Sequence, residues 1–178
     1  MSSFRVVGLP AAEFAPLFSM SDVELRRHRA VRRVADRKPG FPCRVSLRDA
    51  EPGERVLLLN YEHQTADTPY RSAHAIYVRE NAEEARFGVG EIPELLRSRL
   101  LSARAFDSEG MLVTADVCDG RELEGLIDRM FTDPGVAYLH LHNAKPGCYA
   151  ARVERAETPF QAPTEFQEPR APRSRRAR

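Results

Sequence analysis

The chain has 178 residues, of which 42% are hydrophobic and 30% are charged. This length allows one domain with a substantial core and is too short for two full-sized domains. The formal net charge of +1 at pH 7 gives the folded part no strong attraction to nucleic acid or to a membrane surface. We therefore expect a single-domain protein that binds neither of these, and composition alone does not indicate its oligomeric state.

The composition changes near residue 157. Residues 1–156 carry alternating and helical hydrophobic patterns, whereas residues 157–178 are rich in proline and arginine and poor in apolar side chains. A segment of the second kind cannot bury enough apolar surface to offset the entropy that is lost on ordering. The sequence predicts one globular α+β domain over residues 1–156 and a disordered C-terminal tail over residues 157–178.

The cysteine content indicates a reducing environment. Cys43, Cys118 and Cys148 form neither a C-x-x-C pair nor a disulfide framework. The first residues contain no apolar signal segment, and the chain has no run of about 18 apolar residues that would span a bilayer. These features together predict a reduced, cytoplasmic protein.

Hydrophobic periodicity and turn residues predict the elements of the first half of the chain. Ser21 and Glu24 have the spacing of a capping box, which predicts a short helix that begins there. Two prolines and a glycine within residues 38–44 predict a shaped loop. The strands predicted in this half are an edge strand over 4–9, a strand over 31–36, a leucine-rich buried strand over 55–63 and a strand over 72–80.

The second half is predicted to consist of two hairpins and two helices. A proline that can open a helix marks the first helix, and apolar residues at spacings of three and four mark the second. Short turn segments separate the alternating runs of each hairpin. The predicted elements are a helix over 93–97, strands over 100–106 and 111–118, a helix over 122–131, and strands over 136–143 and 148–155.

This order of elements favours an α+β fold. Strands joined by hairpins with few helices between them predict a single domain with a mainly antiparallel or mixed sheet and a few short helices on one face. No strand is followed by a glycine-rich nucleotide-binding loop, so the usual nucleotide signatures are excluded.

The hairpin at residues 136–152 is the region where we expect any chemistry to lie. Because strand side chains alternate between faces, His140 and His142 point to the same side and their imidazoles are neighbours. The same alternation places His63 on the face of Leu57 and Leu59 in the leucine-rich strand. It also aligns His74 with apolar neighbours in the strand over 72–80.

Several segments together resemble one bacterial family. They read PGFPCR at 39–44, LNYEH at 59–63, PYRSAHAI at 69–76, LSARAF at 101–106 and HLHNAKPGCY at 140–149. In combination they resemble the domain of unknown function 1203 family over roughly residues 4–155. The resemblance implies a single-domain protein and carries no activity.

A cysteine nucleophile is the first candidate for chemistry. A thiol needs a neighbouring base or positive charge to become a nucleophile at neutral pH, and hairpin pairing lets Cys148 approach His142 or His140. His74 is a further candidate acid or base. The alternative is that Cys148 packs as a small apolar group, which free cysteines often do.

A metal site is the second candidate. His140 and His142 could supply two imidazoles to a transition metal, with His63, His74, Cys148, Cys43 or Asp116 as further ligands. Two histidines at this spacing are a weak signal, because imidazoles on half-buried strands more often form hydrogen bonds. The sequence therefore assigns no metal ligand and leaves the cofactor unknown.

Three arginines and one asparagine form a candidate binding set: Arg44, Arg71, Arg104 and Asn143. Arg104 lies inside an otherwise apolar strand, where its guanidinium needs Glu62, Asp116 or an anionic ligand as its partner. An internal ion pair is the simpler of these outcomes.

Two functions of different classes remain open. The first is a small-molecule enzyme or binding domain whose pocket at residues 136–152 is lined by histidine, cysteine and arginine, with a small anionic molecule as partner. The second is a structural or protein-interaction module in which the same side chains form a buried, satisfied polar network. The sequence does not decide whether the protein is an enzyme.

Overall fold

The computed structural model describes residues 3–156, so the predicted tail at 157–178 lies outside the described residues. The strands are β1 (Phe4–Val7), β2 (Ala30–Val34), β3 (Arg55–Gln64), β4 (Ser72–Arg79), β5 (Leu100–Phe106), β6 (Leu112–Asp119), β7 (Tyr138–Asn143) and β8 (Tyr149–Arg155). The helices are α1 (Asp22–Arg27), α2 (Glu94–Arg97) and α3 (Leu123–Phe131), and short 3-10 turns cover Ala11–Glu13, Ala15–Ser19 and Gly120–Glu122.

Two antiparallel sheets form the framework. The first has the strand order β1-β8-β7-β5-β6, and the second has the order β2-β3-β4. The predicted α+β class and single domain are confirmed, and β1 is an edge strand as expected. The strands divide between two sheets instead of forming one, because β1 pairs with β8 at the other end of the chain while β2, β3 and β4 form a separate ladder with one another.

Each face of the five-stranded sheet packs against a different layer. On one face, Leu139 and Leu141 of β7 join α3 residues Leu126 and Ile127 in the larger apolar core. On the other face, Tyr149 joins a second core formed largely by the three-stranded sheet. Because strand side chains alternate, this arrangement turns His140 and His142 into the space between the sheets.

Local sequence signals account for the helices. Ser21 Oγ accepts a hydrogen bond from the Glu24 backbone N–H, and the Glu24 carboxylate accepts one from the Ser21 backbone N–H, which is the predicted capping box. The apolar residues of α3 that recur at spacings of three and four are all buried. Within residues 3–156, no helix combines the length and the apolar character that crossing a membrane requires.

Gly120 lies against the backbone of residues 96–99. Its N–H donates to Arg99 O over 2.8 Å, and a Cβ at this position would lie 1.9 Å from Leu96 O. The contacted atoms belong to the backbone, so they cannot move aside as a flexible side chain would.

We predict opposite effects of two alanine substitutions. Gly120→Ala should lower the free energy of unfolding by more than about 2 kcal/mol, because the added methyl group collides with the backbone of Leu96. Gly125→Ala, in the first turn of α3 where a Cβ meets nothing within 4 Å, should raise it by up to about 1 kcal/mol through helix propensity. Urea unfolding of both variants tests this, and equal effects would contradict the packing at Gly120.

Candidate functional site

Four of the five histidines in the chain converge between the two sheets. They are His63 on β3, His74 on β4, and His140 and His142 on β7, and we call them the histidine cluster. The ring centroid of His63 lies 4.9 Å from those of His74 and His142 and 5.3 Å from that of His140. His140 and His142 are buried, whereas His63 and His74 are partly exposed.

Two register shifts shape the cluster. In β3, Glu62 pairs with Ala73 and Gln64 pairs with Ser72, so His63 is an extra residue in its strand. In β8, Tyr149 pairs with His142 and Arg152 pairs with His140, so this strand has one extra residue between the two pairs. The extra residue lets Tyr149 and Arg152 both face the space between the sheets. Bulges of this kind bend a strand and redirect its side chains, and they are common beside functional sites.

His142 has one ring nitrogen held and the other unpaired. Its Nδ1 lies 2.9 Å from Gly147 O. Because a carbonyl oxygen can only accept, Nδ1 carries the proton, and a neutral ring then has its lone pair on Nε2. Nε2 is buried and has no hydrogen-bond partner among the described residues. A buried, unpaired acceptor is rare in proteins, and a catalytic role or a bound ion is among its known causes.

The other three histidines form a chain of ring contacts. His63 Nε2 lies 2.8 Å from His74 Nδ1, and His63 Nδ1 lies 3.4 Å from His140 Nδ1. The Arg152 guanidinium approaches His140 Nε2 at 3.5 Å. Tyr149 stacks on His63 at 4.9 Å and is buried, so it forms one wall of the cluster.

The buried imidazoles are held neutral. Burial lowers the pKa of His63 to about 4, that of His142 to about 3 and that of His140 to about 2. Burial also lowers the pKa of His74. The charge of Arg104 acts on all four rings in the same direction. At neutral pH the cluster is therefore a set of uncharged imidazoles, each with one nitrogen whose lone pair can bind a metal ion.

Arg104 lies directly opposite His140 in the pairing of β5 with β7. The carboxylates that the sequence suggested as its partners are engaged elsewhere, since Glu62 pairs with Arg71 and Asp116 pairs with Arg129. Within residues 3–156, no aspartate or glutamate forms an ion pair with Arg104. The expected internal ion pair is thus wrong for this part of the chain.

A cavity of about 650 Å³ opens beside the cluster, at the end of the β7–β8 hairpin. We call it the hairpin pocket. Its volume is typical of small-molecule sites, and most of its lining is apolar. Its polar lining residues include Arg44, His74, Arg99, Asn143, Lys145 and Cys148.

Arg44 is placed in the pocket by the proline-containing loop that the sequence predicted. The loop folds as a turn closed by pairing of Pro42 with Asp49, and Arg44 is only 2% exposed. Its Nε donates to Tyr149 O over 2.8 Å, Nη1 donates to Pro42 O, and Nη2 donates to Cys148 Sγ over 3.1 Å. Burial lowers the pKa of Arg44, and the nearby Cys148 opposes this effect.

Among the described residues Arg44 has no carboxylate partner, in contrast to the second arginine in the pocket. Arg99 is neutralised by Asp49, whose two carboxylate oxygens lie 2.8 and 2.9 Å from Arg99 Nη2. Among residues 3–156, none of the acidic side chains forms an ion pair with Arg44. Since arginine stays protonated in proteins, the pocket contains a buried positive charge that no acidic side chain of residues 3–156 matches.

Cys148 is held by Asn143 and Arg44. Asn143 Nδ2 donates to Cys148 Sγ over 3.3 Å, while Asn143 Oδ1 is buried without a partner in the described part of the chain. The Asn143 N–H bonds to Cys148 O, so the two residues pair across the hairpin. His142 is adjacent to Asn143 in β7 and points to the opposite face. This explains why none of the hydrogen bonds within residues 3–156 joins Cys148 to a histidine.

The structure thus places most of the predicted site residues in two neighbouring groups that share His74. Arg44, His74, Asn143 and Cys148 line the hairpin pocket, whereas His140, His142 and Arg104 belong to the cluster side. Arg71 belongs to neither group, because it forms a two-pronged ion pair with Glu62 on the surface. His63 is central to the cluster, although the sequence suggested it only as an additional metal ligand. The alternation of side chains along β3 was the signal that placed His63 on the inner face with Leu57 and Leu59.

The comparisons with known proteins give a family and no activity. The family model described as "Protein of unknown function (DUF1203)" matches residues 40–155, a span that contains the whole histidine cluster and every lining residue of the hairpin pocket. No curated protein and no solved structure shows a significant match to the chain.

We predict that acid weakens the fold through the cluster. Below about pH 6.5 the unfolded chain protonates its histidines while the buried His140 and His142 cannot, so stability falls by up to about 1.4 kcal/mol per pH unit for each. Urea unfolding at about pH 7, 6 and 5, in buffer with a chelator, measures this loss. His140→Phe should reduce the slope, and equal stability at all three pH values would contradict the prediction.

We predict that the three cysteines differ in their reactivity. Cys148 is partly exposed in the pocket, whereas Cys43 is 0% and Cys118 is 8% exposed. Iodoacetamide should therefore label Cys148 in the native protein, and it should label the other two only after unfolding. Mass spectrometry of the peptides provides the internal comparison. Protection of Cys148 until the fold is denatured would identify it as a packing residue.

Proposed function

The chain belongs to the DUF1203 family, whose description assigns no activity, and we therefore propose a function from the geometry of the site. We propose that the protein binds a small anionic molecule in the hairpin pocket and that Arg44 holds its carboxylate or phosphate group. The molecule would present its remaining surface to the apolar lining of the pocket.

The observation that carries this proposal is the unmatched charge of Arg44. A buried charge without a counter-charge is costly, and an anionic ligand would remove most of that cost. The guanidinium uses three of its five N–H groups for the hydrogen bonds described above, which leaves donors for a ligand. Arg99 does not compete for the anion because Asp49 already neutralises it.

The neighbouring side chains assign roles within this proposal. Asn143 Oδ1 would accept a hydrogen bond from a hydroxyl or amino group of the ligand. Cys148 Sγ, between Arg44 and Asn143, is the candidate nucleophile, and His74 is the candidate acid or base because its ring also lines the pocket. Arg71 has no role in the proposed binding of an anion.

The alternative of a purely structural polar network has weaker support. Such a network is stable when its members are all satisfied, and a partly satisfied one is worse than an apolar core. Here two buried side-chain atoms lack partners, and Arg44 and Arg104 lack carboxylates within residues 3–156. These unmet requirements support a ligand site.

We also propose a bacterial, cytoplasmic setting. The three cysteines are all free, which is typical of a reducing compartment. The family resemblance supports the bacterial source.

We predict that Arg44 is required for ligand binding. A panel of small carboxylates and phosphate monoesters, with inorganic phosphate as the simplest probe, should contain compounds that raise the melting temperature and protect Cys148 from iodoacetamide. Arg44→Met should weaken the best of these by at least about tenfold, because a charge-assisted hydrogen bond is lost. Isothermal titration measures the dissociation constants.

Three further proteins make the test decisive. Arg33→Met removes an exposed arginine of β2 and should bind like the wild type. Asn143→Asp replaces the side-chain NH2 group by an oxygen and adds a negative charge beside Arg44. This variant should remain folded and lose anion binding. Deletion of residues 157–178 should leave binding intact. Equal affinities of the Arg44→Met, Asn143→Asp and wild-type proteins would refute the proposal.

A further inference from the structure

We infer that His63, His74 and His142 form a binding site for a divalent transition metal ion, with Zn²⁺ as the representative. One ring nitrogen from each of the three residues lies within 4.8 Å of the others. Three imidazoles with an open fourth position are a common ligand set of catalytic zinc. The site adjoins the hairpin pocket through His74 and does not depend on anion binding at Arg44.

His142 supplies the main geometric argument. Its Nε2 is buried, carries the lone pair and has no partner among the described residues, while its Nδ1 is occupied by Gly147 O. A metal-bound histidine usually donates its second ring N–H to a carbonyl or carboxylate, which orients the ring and selects the tautomer. The arrangement of His142 meets this requirement without any rearrangement.

His63 has a second contact of the same kind. With Nε2 as the ligand atom, Nδ1 carries the proton and donates to His140 Nδ1, which lies 3.4 Å away, in the tautomer of His140 that carries its own proton on Nε2. The 3.5 Å contact of Arg152 with His140 Nε2 is then not a hydrogen bond, because both groups are donors. His140 then acts as a positioning residue that orients a ligand without binding the metal. The 2.8 Å separation of His63 Nε2 and His74 Nδ1 shows that the remaining two ligand atoms are already adjacent.

The donor set indicates the class of metal. Imidazole nitrogen suits Zn²⁺, Cu²⁺, Ni²⁺ and Fe²⁺, whereas Mg²⁺ and Ca²⁺ require oxygen ligands. No carboxylate belongs to this triad, so magnesium and calcium are poor occupants.

Arg104 defines what the fourth ligand must be. Its positive charge faces the cluster from β5 and opposes a bare divalent cation. An anion that binds both the metal and the guanidinium would remove this repulsion, so we infer that the fourth ligand is hydroxide or an acidic group. Such a site would activate water or polarise a bound substrate at the edge of the hairpin pocket.

Metal binding can be measured directly. The full chain, purified without a histidine tag and stripped with a chelator, is dialysed against buffered Zn²⁺ and analysed for metal content. We expect about one Zn²⁺ per chain and a rise in melting temperature. Absence of stoichiometric binding with Zn²⁺, Co²⁺, Ni²⁺ and Cu²⁺ would overturn the inference.

Variants locate the site. His74→Ala removes one of the three imidazole ligands and should weaken Zn²⁺ binding by at least about 100-fold. The protein should stay folded because His74 is partly exposed. His28→Gln alters the one histidine outside the cluster and should leave affinity unchanged. Unchanged Zn²⁺ affinity in both His74→Ala and His142→Gln would place the metal elsewhere and overturn the assignment.

The positioning role of His140 has its own test. His140→Phe removes the acceptor for His63 Nδ1 and should weaken Zn²⁺ binding by about 10- to 100-fold. His140→Asn places an amide oxygen where Nδ1 was and should restore most of the affinity. Equal weakening by both substitutions would show a general packing effect and contradict the positioning role.

The role of Arg104 is tested by coupling. Inorganic phosphate should tighten Zn²⁺ binding to the wild-type protein, and it should lose this effect in Arg104→Met. No coupling in the wild-type protein would overturn the inferred anionic fourth ligand. Arg44→Met should retain full Zn²⁺ binding, so failure of the metal site and failure of the anion pocket give different results.

Discussion

The packing of two antiparallel sheets face to face is the constraint on which the rest of the structure depends. It buries the inner face of β7, which carries His140 and His142. The opposite face of β7 carries leucines and packs in the larger apolar core. The neighbouring strands β3 and β4 bring two more histidines to the same layer. Packing at this place therefore produces a buried polar layer, which is costly unless each polar group finds a partner or remains neutral.

The protein meets this cost for the imidazoles and leaves it unmet for two arginines. The imidazoles stay neutral and bond to one another or to the backbone, so no charge is buried in the cluster itself. The two arginines near them, Arg44 and Arg104, keep their charge and have no acidic partner within residues 3–156. Uncharged imidazole nitrogens are complementary to a metal ion, and cations without an acidic partner are complementary to an anion. Arg44 lies in the hairpin pocket and Arg104 lies beside the cluster, and His74 belongs to both regions.

Local patterns predicted much of the fold. The capping box at Ser21, the apolar repeat of α3 and both hairpins depend on interactions between residues close in sequence, and they form where expected. The alternation of β7 correctly placed His140 and His142 on one face. The two carboxylates expected as partners of Arg104, Glu62 and Asp116, were wrong, because an ion pair depends on which strands become neighbours and on which arginines already occupy the carboxylates.

The sequence by itself determined the main strands and helices and the strand face on which His63, His74, His140 and His142 each lie, since these follow from periods of two and 3.6 residues. Only the tertiary structure decided that the four histidines meet and that Cys148 contacts Arg44 instead of His142. The physical reason is that two bulges and a buried turn set these contacts. A bulge adds one unpaired residue with no strong local signature, so its effect appears only when the sheets are paired.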